Sequence, residues 1–188
     1  MNQQELIVKL KEGNEQAFKA IIEAWQDMVY NTAIGIVQNA EDAEDITQET
    51  FVQVYQSVHS FRGDAKLSTW IYRIVVTKSL DHVRKKKRKK RFAFVQSLFG
   101  EKEEIHPPDF HHPGVVLEQK ERANELFIAL KQIPDKQRIA FTLHKLEGLS
   151  YQEVAEIMNT TLYATESLMQ RAKNNLKRVL KKNYTNNE

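Results

Sequence analysis

The histidines and carboxylates of this 188-residue sequence are the side chains that could bind a metal or transfer protons. A two-metal helical bundle needs Glu-x-x-His pairs that face inward from two helices, and this spacing occurs only from Glu103 to His106. That pair lies among prolines together with His111 and His112, which favours exposed linker histidines over metal ligands. The six glycines are isolated, so the sequence has no glycine-rich phosphate loop. The sequence therefore predicts no enzyme, no cofactor and no metal site.

The absence of cysteine excludes disulfides, thiolate metal sites and cysteine nucleophiles, and it permits a reducing compartment. The longest apolar stretch, residues 70–76, is interrupted by Arg73 and is far shorter than the roughly 20 residues of a membrane helix. The amino-terminal residues lack the apolar segment of a signal peptide. We therefore expect a cytoplasmic protein that does not insert into a membrane.

Charge is distributed unevenly along the chain, although the net charge is only +3. Residues 1–60 contain three Lys or Arg and ten Asp or Glu, whereas residues 61–91 contain twelve and two. An acidic block followed by a basic block indicates two different partners. A polyanion is the simplest partner for the basic block, because Lys and Arg that neutralise phosphates release condensed counterions. The alternative for the basic block is a solvated surface.

The elements that must position these residues are predicted to be helices. Apolar residues recur at spacings of three and four, and no stretch shows sustained alternation, so the predicted fold is all-α. Three of the four prolines fall between residues 92 and 116, which indicates a flexible linker between two small helical domains. The predicted organisation is a first domain over residues 1–91, a linker over 92–116, a second domain over 117–182 and a tail over 183–188.

In the first domain, a helix predicted over residues 40–59 separates apolar from acidic side chains. Its inward positions are Ala43, Ile46, Phe51, Val54 and Val58, and its opposite face carries Asp42, Asp45, Glu49 and Gln56. A further helix begins near Leu67 and continues into the basic run at residues 84–91. Repulsion between like charges should fray the end of that helix.

The second domain has the pattern of a helix-turn-helix. Ser150 and Glu153 have the spacing of a capping box, Asn159 tolerates a left-handed turn, and Thr161 can cap the next helix. That helix is predicted to bury Thr165, Leu168, Ala172, Leu176 and Val179, with polar and basic residues on its outer face. A helix with polar residues near its start and cations further along suits the major groove of DNA. An ordinary helical hairpin with a solvated face is the alternative.

Two sets of motifs, in this order and spacing, resemble the extracytoplasmic-function sigma factors over nearly the whole chain outside the linker. The motifs similar to region 2 of that family are residues 42–51 (DAEDITQETF), 61–63 (FRG), 68–74 (STWIYRI) and 81–84 (DHVR). The motifs similar to region 4 are residues 130–134 (LKQIP), Arg138, 147–155 (EGLSYQEVA) and 171–173 (RAK). The resemblance implies a promoter-specificity subunit of bacterial RNA polymerase. Its implied partners are the β′ and β subunits of the core enzyme and promoter DNA, and an anti-sigma factor is a further partner that the family allows.

The resemblance also assigns roles to residues of region 2. The positions matching the family's contact with a coiled coil of β′ are Asp42, Asp45, Gln48, Glu49 and Phe51. The loop from Ser57 to Leu67 and the following helix match the parts that open the minus-ten element and hold its non-template strand. The residues assigned to minus-ten DNA are Phe61, Arg62, Lys66, Thr69, Trp70, Arg73, Thr77, Lys78, Asp81 and Arg84. Trp70 and Tyr72 lie on an apolar stretch, so packing in the core is the alternative to stacking on bases.

In region 4, the resemblance assigns the minus-thirty-five element to the outer face of the second helix of the helix-turn-helix. The residues are Thr161, Tyr163, Glu166, Ser167, Gln170, Arg171, Asn174, Lys177 and Arg178. Two dipeptides depart from the common family pattern, with Val76-Thr77 in place of Arg-Asn and Ala164-Thr165 in place of Thr-Val. A helix-turn-helix regulator that acts without polymerase is the alternative function, and it leaves the acidic helix without a role.

Overall fold

The structure is a computed structural model that describes the backbone of residues 3–97 and 120–185. These residues form helices and no strands, which confirms the predicted all-α class. The first domain contains α1 (Gln3–Lys11), α2 (Glu15–Val37), α3 (Ala40–Ser57), a 3₁₀ turn (Val58–Ser60) and α4 (Leu67–Ser97). The second contains α5 (Lys120–Gln132), α6 (Asp135–Phe141), a π-helical turn (Thr142–Leu146), α7 (Tyr151–Ile157) and α8 (Leu162–Thr185).

Asparagine side chains cap the first turns of α2 and α3. The backbone N–H of Ala17 donates to Asn14 at 2.9 Å at the start of α2, and that of Asp42 donates to Asn39 at 2.8 Å at the start of α3. Each bond satisfies one N–H that has no partner within its helix. Between the helices, Gln38 adopts a left-handed backbone with φ 57°, which reverses the chain within two residues.

The basic run does not end α4, contrary to the expectation that its like charges fray the helix. The helix continues through these residues to Ser97, beyond the predicted domain limit at residue 91. Carboxylates from other helices offset the repulsion, because Lys86 Nζ lies 2.6 Å from Asp42 and Lys87 Nζ lies 2.8 Å from Asp135. The histidines at 106, 111 and 112 lie outside the described residues.

The second domain contains the predicted helix-turn-helix at α7 and α8. Ser150 and Glu153 form the predicted capping box, and Asn159 has the expected left-handed backbone with φ 49°. Thr161 accepts from the N–H of Ala164 at 3.1 Å and so caps α8 as predicted. Pro134 occupies the cap position of α6.

The two domains pack against each other and share one apolar core. Its buried residues include Ile34 and Val75 from the first domain and Ile139, Leu143 and Met169 from the second. A separate small core holds α5 against α8, where Leu130 and Leu176 are among the buried side chains. Within the described ranges, no helix is both long and apolar enough to cross a membrane.

Replacing Ser150 with alanine tests the capping box. The variant Ser150→Ala should lower the free energy of unfolding by about 1 kcal/mol, because it removes a side-chain acceptor at the start of a helix. Urea denaturation followed by circular dichroism measures this change. Ser150→Thr keeps the hydroxyl and should retain most of the stability. Equal stability of the alanine variant and the parent protein would show that the cap contributes nothing.

Candidate functional site

An exposed acidic surface lies on α3. Asp45 and Glu49 are exposed there, as predicted, and Gln48 is exposed beside them. Val52 on the next turn is an exposed apolar side chain at 54%. These four residues line an open cleft to which Lys78 of α4 also contributes. Glu49 lies 3.4 Å from the Lys78 amine, an exposed pair that contributes little stability. The surface therefore combines exposed carboxylates with an apolar side chain, which suits a basic helical partner.

Two residues assigned to this surface, Asp42 and Phe51, do not present their side chains on it. The Asp42 side chain is only 17% exposed and lies between His82 Nε2 at 3.1 Å and Lys86 Nζ at 2.6 Å. Its carboxylate is thus paired within the protein and joins α3 to α4. Phe51 is buried in the core of the first domain. The carboxylates of α3 consequently do not form the single open face that the sequence indicated.

The aromatic residues assigned to minus-ten DNA form an internal cluster. Phe61 is buried and its ring packs 5.1 Å from that of Trp70, which is half-buried. Thr69 is also buried, so neither Phe61 nor Thr69 presents its side chain to a ligand in this arrangement. Tyr72 is buried as well, which supports the core alternative for that residue. Sequence periodicity could not separate stacking residues from packing residues here, because both occur on apolar stretches.

The polar residues assigned to minus-ten DNA are mostly exposed but have intramolecular partners. Arg73 donates to the carbonyl oxygen of Glu156 at 2.9 and 3.1 Å, and Lys66 Nζ lies 3.3 Å from Glu153 Oε1. Both acceptors belong to α7 of the second domain. Of the other assigned residues, Arg62 is exposed, and the Thr77 hydroxyl donates to the Arg73 carbonyl oxygen. Lys78 pairs with Glu49, and Asp81 pairs with Arg84.

The outer face of α8 carries the residues assigned to minus-thirty-five DNA. Tyr163 is 81% exposed near the start of the helix. The other assigned residues are Thr161, Glu166, Gln170, Arg171, Asn174, Lys177 and Arg178, which are exposed, and Ser167, which is half-buried. Met169 is buried, a core position that the sequence reasoning missed.

A cleft beside α8 adds a cation that sequence reasoning did not assign. Lys136, at the start of α6, lines this cleft together with Tyr163, Ser167 and Arg171. Its position in the sequence is distant from the helix-turn-helix, so only the packing of α6 against α8 reveals it. The cleft therefore presents two cations and an exposed aromatic ring on one surface, a combination suited to a DNA backbone.

A carboxyl–phenol pair connects the two domains. The Tyr72 hydroxyl of α4 donates to Glu147 Oε2 at 3.2 Å. Burial raises the pKa of the Glu147 carboxyl to about 7, and the hydrogen bond from Tyr72 opposes part of that rise. Burial and the charge of Glu147 raise the pKa of Tyr72, to which the charge of Glu153 on α7 also contributes. The pKa of the Glu147 carboxyl therefore depends on whether the two domains remain in contact.

Comparison with known proteins covers both domains. The family described as Sigma-70 region 2 matches residues 21–89, and Sigma-70, region 4, matches residues 125–176. The chain is 27% identical over 179 residues to the RNA polymerase sigma-H factor of Pseudomonas aeruginosa, covering 94% of the chain and 93% of that relative. It is 28% identical over 175 residues to the ECF RNA polymerase sigma-E factor of Escherichia coli, covering 92% and 91%.

Solved structures share the fold. CnrH in complex with the cytosolic domain of CnrY matches with a TM-score of 0.69 at 19% identity, over 95% of this chain and 97% of that one. The sigma factor RpoE of Bartonella quintana, in complex with the anti-sigma factor NepR, matches with a TM-score of 0.64 at 24% identity, over 87% and 96%. The helical arrangement is thus one that other proteins of similar length adopt.

The raised pKa of Glu147 predicts that acid favours contact between the domains. When the domains separate, Glu147 enters water and its pKa returns toward the ordinary value of 4.5. A group whose pKa is higher in the closed arrangement stabilises that arrangement at low pH, and this contribution is lost as the pH rises through about 7. Because the chain lacks cysteine, dyes on Gln26→Cys in α2 and Lys173→Cys in α8 can report the interdomain distance by energy transfer.

Energy transfer between these dyes should decrease between about pH 5 and pH 8. The matched control is Glu147→Gln, which keeps the shape of the side chain and cannot titrate. It should abolish the decrease. An unchanged pH profile in the glutamine variant would assign the titration to another group.

Proposed function

This chain belongs to the extracytoplasmic-function group of the sigma-70 family, and we propose that it binds core RNA polymerase and directs promoter recognition, promoter opening and initiation. The observation that carries the proposal is the order of the two family matches on one chain, with a carboxylate surface in the first and a helix-turn-helix in the second. A regulator that acts without polymerase accounts for the second match and leaves the first without a role.

The exposed part of α3 is the proposed contact with polymerase. Asp45 and Glu49 present carboxylates beside Val52, so a basic helical surface can pair with the charges and cover the apolar side chain. Charged groups around such an interface steer association and select the partner, while the apolar contact contributes to affinity. Asp42 has a different proposed role: its pairing with Lys86 holds α3 against α4 and so fixes the orientation of the surface.

The exposed side of α4 is the proposed contact with the minus-ten element. Arg62 and Lys66 precede α4, and Arg73 and Lys78 lie on its first half. Together these cations supply the electrostatic track that single-stranded DNA requires. Trp70 is half-buried at the edge of the aromatic cluster, so its ring is the most accessible candidate for stacking on an unpaired base. The role of Phe61 is then to support that ring from beneath.

The outer face of α8 is the proposed reader of the minus-thirty-five element. Tyr163, Glu166 and Gln170 occupy the first half of the helix, where side chains reach base edges in the major groove. Lys177 lies further along and, with Lys136 from α6, is placed to contact phosphates. Phosphate contacts fix the register of the protein on DNA, and base contacts specify the sequence.

The proposed activity is binding and not catalysis, and its place is the bacterial cytoplasm, where polymerase meets promoter DNA. The RpoE structure contains an anti-sigma factor. By that likeness, an anti-sigma factor is also a proposed partner of this chain.

Charge reversal on α3 tests the polymerase contact. The double variant Asp45→Lys and Glu49→Lys should weaken binding to purified core polymerase by about 100-fold or more, since losing charge pairs at an interface costs several kcal/mol. Changes at exposed helix positions should alter the stability by about 0.5 kcal/mol or less. Co-elution and fluorescence anisotropy measure the binding.

The matched control for this double variant is Glu23→Lys and Asp27→Lys on α2. It makes the same charge change on an exposed helix surface and also disrupts one exposed ion pair, Glu23 with Lys19 at 3.8 Å. We expect near-parental polymerase affinity from the control. Equal affinity of the α3 double variant and the parent would remove this surface from the mechanism.

Alanine substitutions on α8 test the reading of the minus-thirty-five element. Glu166→Ala and Gln170→Ala should each lose about 1 to 3 kcal/mol of discrimination at one or two base pairs and leave polymerase binding unchanged. Lys177→Ala should weaken all sequences by a similar factor, because phosphates carry no sequence information. Transcription from a library randomised in this element measures both effects. Altered base preference in the Lys177 variant alone would reverse the proposed orientation of α8.

A further inference from the structure

The first helix, α1, precedes the residues that match Sigma-70 region 2, which begin at residue 21, so the family match gives it no role. It nevertheless contacts the proposed minus-ten surface. At the end of α1, the amine of Lys11 donates to the carbonyl oxygen of Phe61 at 2.8 Å. The two residues lie 50 positions apart in the sequence. A side chain of α1 thus reaches the loop that follows the 3₁₀ turn.

The backbone that carries Lys11 is held in place on both sides. Leu10 is buried, and Leu6 and Ile7 pack against the apolar core. After the helix, Gly13 has a left-handed backbone with φ 75°, and its N–H donates to the Leu10 carbonyl oxygen at 3.0 Å. Because the helix is fixed, only the side chain of Lys11 must be ordered to form its hydrogen bond.

The loop of residues 61–66 is anchored at its two ends. At its start, Phe61 is buried and its N–H donates to the Val58 carbonyl oxygen at 3.1 Å. At its end, the Lys66 carbonyl oxygen accepts from the Trp70 N–H at 3.1 Å. The residues between these anchors include three that are exposed: Arg62, Gly63 and Asp64. The 61–66 loop therefore presents its middle to solvent from a fixed base.

The hydrogen bond from Lys11 acts where this loop leaves the core. The Phe61 carbonyl belongs to the peptide unit that joins Phe61 to Arg62, and a peptide unit is planar. Holding its oxygen therefore also fixes the Arg62 N–H and the direction in which the exposed part of the loop departs. A hydrogen bond from a charged amine is about twice as strong as one between neutral groups.

The same geometry distinguishes Lys11 from the cations assigned to DNA. Its side chain is partly buried and its amine is bound to the loop backbone, whereas Arg62 and Lys66 are exposed. Lys11 is therefore placed to act on the loop and not on a phosphate.

From these contacts we infer that Lys11 is a positioning residue for the minus-ten surface: it holds the Phe61 carbonyl and so preorganises the 61–66 loop for an unpaired DNA strand. A loop that is already ordered loses less conformational entropy on binding. This inference rests on the proposed function for the identity of the ligand. The contact itself can be tested without that function.

Three substitutions in α1 test the role of the amine. Lys11→Met removes the donor and keeps a long unbranched side chain of similar helix propensity, so α1 should remain folded. Lys11→Arg keeps a charged donor and should keep the contact. The matched control is Lys9→Met, which makes the same change at an exposed position of the same helix. Circular dichroism compares the folding of all three with the parent.

A nitroxide on the loop measures its order. Because the chain lacks cysteine, the label can be attached through Asp64→Cys alone. Electron paramagnetic resonance should show a more mobile label with Lys11→Met and parental mobility with Lys11→Arg and Lys9→Met. Parental mobility with Lys11→Met, or an equal increase with Lys9→Met, would overturn the inference.

Permanganate reactivity of unpaired thymines measures promoter opening, using chains without the label. The holoenzyme acts on a promoter that the parent holoenzyme selects from random upstream sequences. Lys11→Met should lower the equilibrium constant for opening by about tenfold, since it removes a hydrogen bond from a charged donor. Its affinity for core polymerase should stay parental. Lys11→Arg and Lys9→Met should open the promoter as the parent does. Parental opening by Lys11→Met would contradict the positioning role.

Salt dependence separates positioning from a direct phosphate contact. The ligand is a single-stranded oligonucleotide with the non-template minus-ten sequence of that promoter, bound by holoenzyme over a series of potassium chloride concentrations. Lost positioning should weaken binding without changing the slope of log affinity against log salt. A slope reduced by about 0.7 would show a phosphate contact and refute the inference. If the parent chain neither binds core polymerase nor opens a promoter, the proposed function fails, and the nitroxide measurement still decides whether Lys11 orders the loop.

Discussion

The close approach of α2 to the π-helical turn is the contact on which the arrangement of the two domains depends. Gly35 allows this approach because it has no Cβ, and Thr142 fills the space and donates to the Gly35 carbonyl oxygen. Around this contact, apolar residues of both domains merge into one core. The position of α7 over α4 follows from this packing, and with it the partners of Lys66, Tyr72 and Arg73.

The long helix α4 serves both the core and the surface. Leu67, Ile71 and Val75 form its buried side, and its cations lie on the remaining surface. The exposed ion pairs across the interface are worth about 0 to 1 kcal/mol each, whereas burial of a large apolar side chain is worth about 1.5 to 3 kcal/mol. Apolar packing therefore holds the domains together, and the ion pairs mainly fix their orientation. Because the exposed polar contacts of Lys66 and Arg73 are weak, these side chains can exchange their present partners for another, such as a nucleic acid.

Features set by local sequence could be predicted, and features set by distant contacts could not. Three local features could be predicted because each depends on residues within four positions in the sequence. They are the capping box at Ser150, the left-handed backbone of Asn159 and the cap at Thr161. Asp42 was misplaced because its partners His82 and Lys86 lie some 40 residues away. Lys86 and Lys87 similarly allow α4 to continue where a run of like charges indicated fraying.

The residues of the candidate sites likewise include some whose exposure could be predicted from the sequence and others whose burial could not. The exposed residues of α8 follow from helical periodicity, since polar side chains at regular spacing face away from the buried stripe. Phe61 and Thr69 match their family motif by position, yet motif position does not determine burial, and both side chains are internal. The contact of Tyr72 with Glu147 joins residues of different domains, and no pattern within either domain predicts it.

Mapping the 5′ ends of transcripts made in vitro tests the central claim most directly. Purified bacterial core polymerase, with and without this chain, would transcribe a library of random upstream sequences. The account predicts transcripts that depend on the chain and whose upstream sequences share one element near −10 and another near −35. Transcription no greater than that of core polymerase alone, or start sites without shared elements, would contradict the assignment of a promoter-specificity function to this protein.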